Sequence, residues 1–215
     1  MKGLREGYDR VAADYAAEFA DEMEQKPFDR KMLDWLAEKV AGLGPICDMG
    51  CGPGQVARYL HGRGFEACGV DLSAEMVRHA RALNPDLPFQ QGDMLALSSV
   101  PDETYGGVAA FYSLIHVPRP RVVDALRELR RVLRQGGALL VTFHIGRETL
   151  HKDEFFGQEV SIDFHFFESA EMKEYLATAA FDLEETIERD PYPPAVEYQS
   201  RRAYIFARKA MRNEE

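Results

Sequence analysis

The sequence has few cysteines, an excess of negative over positive charge, and no long apolar run. Its cysteines, Cys47, Cys51 and Cys68, are odd in number and form no Cys-x-x-Cys pair, so we interpret them as reduced packing residues and expect no metal site. The formal charge of −10 repels polyanions, which argues against nucleic acid and anionic membranes as partners. No apolar stretch approaches the ~20 residues of a membrane-spanning helix, and the first residues lead into no signal-peptide core. We therefore expect a cytoplasmic protein whose partner is a small molecule.

The chain is long enough for one domain with a full core. It has 215 residues, of which 46% are hydrophobic, and this length is short for two domains. We expect a single domain over residues 1–215, as a monomer or homodimer. Its predicted parts are N-terminal helices at 1–44, a core at 45–144, an insertion at 145–167, and a C-terminal helix with two strands at 168–210.

Helices and strands are predicted to alternate along the core. The predicted strands cover 45–49, 67–71, the surroundings of Phe89, 107–112, 138–143, 181–188 and 202–208. The predicted helices run from Leu4 to about Met23, from Pro27 towards Gly42, from an N-cap at Ser73, along the stripe Val122, Leu126, Leu129 and Leu133 towards Gly136, and from Glu168 to Ala180. This alternation predicts a mostly parallel sheet with helices on both faces, and ligands at the carboxyl ends of the strands.

A glycine-rich turn follows the first predicted strand. It carries Asp48, Gly50, Gly52 and Gly54 at alternate positions and leads directly into a helical pattern. Glycines at these positions let the backbone adopt dihedrals that a Cβ would forbid, and they leave no side chain between the loop and a ligand. The dinucleotide fingerprint requires Gly or Ala in the sixth place, where this chain has Gln55, so NAD is disfavoured.

Two further acids follow the next two predicted strands. Asp71 ends the second strand, where a carboxylate can accept hydrogen bonds from both hydroxyls of a ribose. Asp93 follows the third strand. Together with the glycine turn, this series resembles the motifs of the class I S-adenosylmethionine-dependent methyltransferases, and the resemblance covers about residues 4–208. In that family the third acid lies against the adenine amino group, so Leu72 and Met94 would enclose the adenine.

The resemblance implies a fold and a cofactor. The fold is α/β, a Rossmann-like doubly wound seven-stranded mostly parallel sheet with helices on both faces, the last strand antiparallel, and N-terminal lid helices. The cofactor is S-adenosyl-L-methionine, with S-adenosyl-L-homocysteine as product. The implied cofactor-binding residues are Tyr8, Tyr15, Asp48, Gly50, Cys51, Gly52, Gly54, Asp71, Leu72, Met76, Asp93, Met94, Phe111 and Tyr112.

The segment from Tyr8 to Tyr15 is similar to the opening of small-molecule methyltransferases of the ubiquinone and menaquinone biosynthesis type. In that group the first helix covers the cofactor, and a tyrosine contacts the methionine carboxylate. Tyr8 and Tyr15 are two helical turns apart and can share one face. The same residues could equally form a packing stripe with Val11 and Phe19, and both roles can hold at once.

Three histidines are candidates for acid-base chemistry. His116 and His144 lie at or just past the ends of strands four and five, and His165 lies on the polar side of an alternating pattern within the insertion. Methyl transfer from a sulfonium depends mainly on alignment, and a base helps when the acceptor is a hydroxyl or a protonated amine. A histidine that titrates near neutrality suits this task. The alternative role for each of the three is that of a hydrogen-bonded structural group.

Two functions of other classes remain open. The chain could bind S-adenosylmethionine or S-adenosylhomocysteine as a sensor or partner subunit without catalysis. It could also be an NAD-dependent oxidoreductase, against which Gln55 and Asp93 both argue. The preferred hypothesis is a methyltransferase acting on oxygen, nitrogen or carbon of an unidentified small molecule.

Overall fold

A computed structural model describes residues 2–211, except for the side chain of Lys2. Met1 and residues 212–215, the two ends of the predicted domain, lie outside the described residues. A seven-stranded sheet forms the centre of the molecule. Its strands are β1 (Ile46–Met49), β2 (Ala67–Asp71), β3 (Phe89–Gln91), β4 (Tyr105–Phe111), β5 (Leu133–His144), β8 (Asp182–Arg189) and β9 (Arg202–Arg208).

The strand order in this sheet is β3-β2-β1-β4-β5-β9-β8. Strands β1 to β5 pair in parallel, and β9 runs antiparallel to both of its neighbours. The predicted Rossmann-like doubly wound sheet with an antiparallel last strand is therefore confirmed. The order reverses between β1 and β4, which is the place where such sheets bind their ligands.

Six helices surround the sheet within the described part of the chain. They are α1 (Lys2–Phe19), α2 (Pro27–Lys39), α3 (Gln55–Gly62), α4 (Ala74–Leu83), α5 (Val122–Val132) and α6 (Ser169–Thr178). One buried cluster joins one face of the sheet to α5 and α6, and a second joins the other face to α2, α3 and α4. Along β9, Ile205 belongs to the first cluster and Phe206 to the second, as the two-residue repeat of a strand requires. None of the helices described in residues 2–211 is long and apolar enough to cross a bilayer.

The insertion between β5 and α6 is a two-stranded hairpin, β6 (Thr149–Phe155) and β7 (Gln158–His165). The predicted alternation appears on β7, where Val160 and Ile162 are buried and Asp163 is exposed. The sequence analysis missed β6 because this strand is largely polar and keeps most of its side chains in water. The hairpin packs against α1 and adds a second layer beside the main sheet.

Two predicted helix ends are wrong. The first helix stops at Phe19, and Met23 lies in a short 3-10 turn instead. Helix α5 stops at Val132, because Leu133 takes extended dihedrals and pairs with Tyr105 as the first residue of β5. Leu133 is fully buried, so it fits the apolar stripe whether it lies in a helix or in a strand.

Ser73 fixes the start of α4 and also holds α1. Its Oγ accepts a hydrogen bond from the N–H of Met76 at 3.0 Å, which confirms the predicted N-cap. The same hydroxyl donates to Oδ1 of Asp9 on α1 at 2.6 Å. One buried side chain therefore ties the covering helix to the sheet.

Replacing this serine should destabilise the protein. We expect Ser73→Ala to lower the free energy of unfolding by about 1–2 kcal/mol, because both the cap and the bond to Asp9 disappear. Urea unfolding of the variant measures this loss. The matched control is Ser98→Ala in an exposed turn, which should unfold like the parent. Equal stability of the two variants would contradict the role given to Ser73.

Candidate functional site

The loop after β1 has glycines where the backbone approaches other strands closely. At Gly50, φ is +77° and a Cβ would lie 2.3 Å from the Cβ of Ser113 at the end of β4. At Gly54, φ is +88° and a Cβ would lie 2.7 Å from the ring of Phe89. Both positions therefore require glycine. The Gly50 N–H donates to the carbonyl of Val70 at 2.7 Å, which holds the loop against β2.

Two carboxylates border this loop, the buried Asp48 and the half-buried Asp71. Asp48 accepts from the N–H of Ala57 at 3.3 Å, and Asp71 accepts from the N–H groups of Gly52 and Ser73, each at 2.8 Å. Burial raises the pKa of Asp48 to about 8 and the pKa of Asp71 to about 6. A ligand that donates hydrogen bonds or carries positive charge would therefore stabilise the ionised carboxylates.

A cavity opens beside the loop at the carboxyl ends of the central strands. The predicted cofactor residues that line it are Tyr8, Tyr15, Asp48, Gly50, Cys51, Gly52, Asp71, Leu72, Met76, Met94, Phe111 and Tyr112. Two predicted residues lie outside this lining. Gly54 turns towards Phe89, and Asp93 accepts from the N–H of Leu95 at 2.9 Å, next to the lining residue Met94.

Helix α1 covers the cavity. Tyr8 and Tyr15 both line it, with ring centroids 5.9 Å apart. Gly7 lets the helix approach the hairpin, since a Cβ there would lie 3.1 Å from Cγ1 of Ile162. Tyr8 Oη lies 2.8 Å from Nε2 of His116, so the helix is also tied to the segment after β4.

The sequence of this site matches known proteins. Residues 46–137 match the methyltransferase domain family. The chain is 34% identical over 117 residues to a ubiquinone biosynthesis O-methyltransferase of Aeromonas salmonicida, covering 51% of this chain and 48% of that protein. It is 31% identical over 125 residues to a malonyl-[acyl-carrier protein] O-methyltransferase of Enterobacter lignolyticus, covering 57% of this chain and 46% of that protein. Through residues 46–137 this chain is similar to the S-adenosylmethionine-dependent methyltransferases.

The same fold occurs in solved methyltransferase structures. The 1,6-didemethyltoxoflavin-N1-methyltransferase of Burkholderia thailandensis, solved with 1,6-didemethyltoxoflavin and S-adenosylhomocysteine bound, superposes with a TM-score of 0.70 at 18% identity, covering 94% of this chain and 87% of that chain. A Methanosarcina mazei methyltransferase gives the same TM-score over 78% of this chain and 93% of its own. The chain spans about half the length of the curated relatives it matches.

Beyond the glycine loop, the cavity is lined by aromatic side chains that we call the aromatic chamber. Its members are Phe19, Phe155, Phe164, Tyr198 and His144. The alternation on β7 places Phe164 on the packed side, but nothing in the sequence indicates that Phe155 or Tyr198 reaches the same cavity. These two come from the undetected strand β6 and from the irregular segment between β8 and β9.

His116 is neutral, and its hydrogen-bond partners fix its tautomer. Nδ1 lies 2.9 Å from the backbone carbonyl of Asp163, which can only accept, so Nδ1 carries the proton and Nε2 accepts from Tyr8 Oη. Burial lowers the pKa of the ring to about 4. The expectation of a histidine titrating near neutrality is therefore wrong at this position.

His144 has the opposite tautomer. Its Nδ1 lies 2.7 Å from Ser200 Oγ and 3.3 Å from Nη1 of Arg202, which can only donate, so Nδ1 accepts and Nε2 carries the proton. Burial and then the Arg202 charge lower its pKa to about 3. This ring lines the cavity as a hydrogen-bond donor and not as a base.

His165 lies outside the cavity lining. Its Nδ1 is 2.9 Å from Thr149 Oγ1 on the neighbouring strand of the hairpin. The alternation of β7 explains this placement, since Phe164 lines the cavity and the next residue turns away from it. The structure therefore brings two of the three candidate histidines to the site.

The pKa of His116 leads to a pH-dependent stability. In the unfolded chain a histidine has a pKa near 6.5, whereas the folded ring stays neutral down to about pH 4. The contribution of the ring to the free energy of unfolding is therefore complete above pH 6.5 and is lost as the pH falls towards 4. When the pH falls from 7 to 5, the free energy of unfolding should decrease by about 1–2 kcal/mol less in His116→Gln than in the parent. Urea unfolding at both pH values measures this difference. His61→Gln, at an exposed ring on α3, should behave like the parent, and identical pH dependence in all three proteins would refute the assignment.

Proposed function

We propose that this protein transfers the methyl group of S-adenosylmethionine to a small-molecule acceptor held in the aromatic chamber. The observation that carries the proposal is that the glycine loop and Asp71 share one cavity with the aromatic chamber. Such an arrangement lets a cofactor and an acceptor meet away from bulk water. Names of relatives include both O- and N-methyltransferases, so they do not select the acceptor atom.

The residues present fit the cofactor. Ser113 Oγ and Gln55 Oε1 are buried, line the cavity, and have no hydrogen-bond partner among the described residues, so they are ready to bind polar groups of a ligand. The glycine loop leaves space where a Cβ would collide with Ser113. Asp71 would bind the ribose hydroxyls, and Leu72 and Met94 would enclose the adenine. When bound, S-adenosylmethionine would supply a methyl group on a positively charged sulfur.

The chamber suits a largely uncharged, planar acceptor. Four of the charged side chains that line the cavity are paired with each other: Arg202 Nε lies 2.9 Å from Oε2 of Glu197, and Lys26 Nζ lies 2.5 Å from Oε2 of Glu22. These pairs leave aromatic faces as the principal contact surface for the acceptor. Catalysis would then come mainly from alignment and exclusion of water, with the Nε2–H of His144 orienting the acceptor.

A cofactor-binding sensor would need the glycine loop but not the aromatic chamber. The extension of the cavity from the glycine loop into the aromatic chamber therefore favours an enzyme over a sensor. An NAD-dependent oxidoreductase is disfavoured by Gln55, whose Nε2 donates to Oε1 of Glu22 at 2.8 Å where the dinucleotide fingerprint has a small residue.

Cofactor binding can be measured without knowing the acceptor. We expect micromolar binding of S-adenosylmethionine and S-adenosylhomocysteine, about −8 kcal/mol, and far weaker binding of NAD. Asp71→Asn should lose about 1–3 kcal/mol of this affinity, because one charged acceptor for the ribose is removed while a neutral oxygen remains for the loop. Asp86→Asn, an exposed carboxylate away from the cavity, is the matched control. Calorimetry that found tighter binding of NAD, or parental affinity in Asp71→Asn, would overturn the assignment.

The acceptor can be found by transfer of label. We expect the protein to move label from methyl-labelled S-adenosylmethionine to one compound or a small group of compounds in a metabolite extract. Gly50→Ala should abolish this transfer, because its Cβ would collide with Ser113 in the loop. Circular dichroism checks that the variant is folded. Tight cofactor binding without any transfer to the extract would favour the sensor.

A further inference from the structure

A chain of hydrogen bonds leads from the cavity to a buried carboxylate. Tyr112 lines the cavity, and its Oη lies 3.3 Å from Oη of Tyr204. Tyr204 Oη is 2.7 Å from Oδ1 of Asp29 in the first turn of α2. Tyr204 and Asp29 are both fully buried and neither lines the cavity. Three side chains therefore connect the site to the interior of the protein.

The direction of these hydrogen bonds follows from Arg189. Its Nε donates to Tyr204 Oη at 2.8 Å, and its Nη2 lies 3.1 Å from Oδ2 of Asp29. A guanidinium can only donate and an ionised carboxylate can only accept, so the proton of Tyr204 points to Asp29 and the proton of Tyr112 points to Tyr204. The Tyr112 oxygen can then accept a hydrogen bond from a donor in the cavity.

Tyr112 is held in a backbone conformation that is costly for a residue with a side chain. Its φ is +51°, in the left-handed region, directly after β4. Its N–H donates to Thr142 Oγ1 at 2.9 Å, and Thr142 pairs with Tyr204 across β5 and β9. The same strand pair therefore positions both tyrosines. Strained residues of this kind concentrate at functional sites, where the surrounding structure maintains them.

The charges around Asp29 leave it able to take up a proton. Burial is the largest effect and raises its pKa. The hydrogen bond from Tyr204 and the positive charges of Arg189 and Lys26 lower the pKa, and the negative charge of Glu197 raises it. The pKa of Asp29 stays above its ordinary value. The groups that face it therefore come from the turn before α2, from β8 and β9, and from the segment between them.

We propose that Tyr112, Tyr204 and Asp29 receive the proton released by the acceptor, and that the acceptor atom is a hydroxyl oxygen. This inference rests on the proposed methyltransferase function. An electron pair of the hydroxyl oxygen forms the new C–O bond while the C–S bond breaks, and its electrons stay on sulfur. The hydroxyl proton passes to Tyr112, the proton of Tyr112 passes to Tyr204, and the proton of Tyr204 passes to Asp29.

This transfer keeps the charge of the site constant. Sulfur loses its positive charge in the same step in which Asp29 loses its negative charge, so the sum of the charges on the reacting groups and the relay does not change. The chain returns to its starting state when the cavity opens and the proton leaves through Tyr112 to water. Tyr112 would contact the acceptor, whereas Tyr204 and Asp29 act through Tyr112 as positioning residues.

The first test uses the protein without cofactor. Infrared titration should show protonated carboxyl bands that persist to higher pH than that of an exposed aspartate, and Asp29→Asn should remove one of them while those of Asp48 and Asp71 remain. In Tyr204→Phe the Asp29 band should persist to still higher pH, because a hydrogen bond that favours the ionised form is lost. A titration in which Asp29→Asn removes no such band would overturn the relay whatever the enzyme methylates.

The second test compares Tyr204→Phe with the control Tyr59→Phe. In the parent, the Tyr59 hydroxyl donates to Oδ1 of Asp34 at 2.9 Å, outside the lining of the cavity. Both receive labelled S-adenosylmethionine and matched phenols, anilines and thiophenols. We expect methylation of oxygen, with kcat about 10²-fold lower in Tyr204→Phe, an altered acid limb of its pH profile, and little change in KM. Tyr59→Phe should match the parent.

The outcomes separate the two proposals. Methylation of nitrogen or sulfur alone, or a parental kcat and pH profile in Tyr204→Phe, would overturn the relay and leave the methyltransferase function standing. Failure to methylate any panel compound or any metabolite in the extract would count against the methyltransferase function, and the infrared titration would then decide the relay alone.

Discussion

The two hydrogen bonds that Asp71 accepts hold the site together. One comes from Gly52 in the loop after β1, and the other comes from Ser73 at the start of α4. Ser73 in turn binds Asp9 on α1, so Asp71 and Ser73 together connect the loop, the sheet edge and the covering helix. Burial raises the pKa of the Asp71 carboxylate to about 6, and hydroxyl donors from a ligand would lower it again. A ligand that binds Asp71 would therefore contact the same hydrogen-bonded group that holds α1 over the cavity.

The parallel part of the sheet was predictable because its central strands are short apolar runs, with Gly50 directly after β1, Asp71 at the end of β2 and His144 at the end of β5. Strand β2 was predicted with its observed ends, Ala67 and Asp71. The errors came from segments whose state depends on partners distant in sequence. Strand β6 is polar and becomes a strand by pairing with β7, and Leu133 is extended because Tyr105 lies opposite it.

The glycine loop and the aromatic chamber differ in the same respect, because the first depends on local sequence and the second on segments distant in sequence. The glycine loop was predictable because its geometry is local: a positive φ at Gly50 and contact with the next strands exclude a side chain. The aromatic chamber is assembled from α1, the hairpin and the segment before β9, so no local pattern describes it. The histidines were found by position, but their protonation depends on the carbonyl of Asp163 and the guanidinium of Arg202, which only the fold brings to them.

A crystal structure with S-adenosylhomocysteine tests the central claim most directly. The account predicts that the ribose hydroxyls donate to Asp71, that Ser113 Oγ gains a polar partner, and that the sulfur faces the aromatic chamber beside Tyr112. An S-adenosylhomocysteine molecule whose ribose lies away from Asp71, or whose sulfur is separated from the chamber by protein, would contradict it.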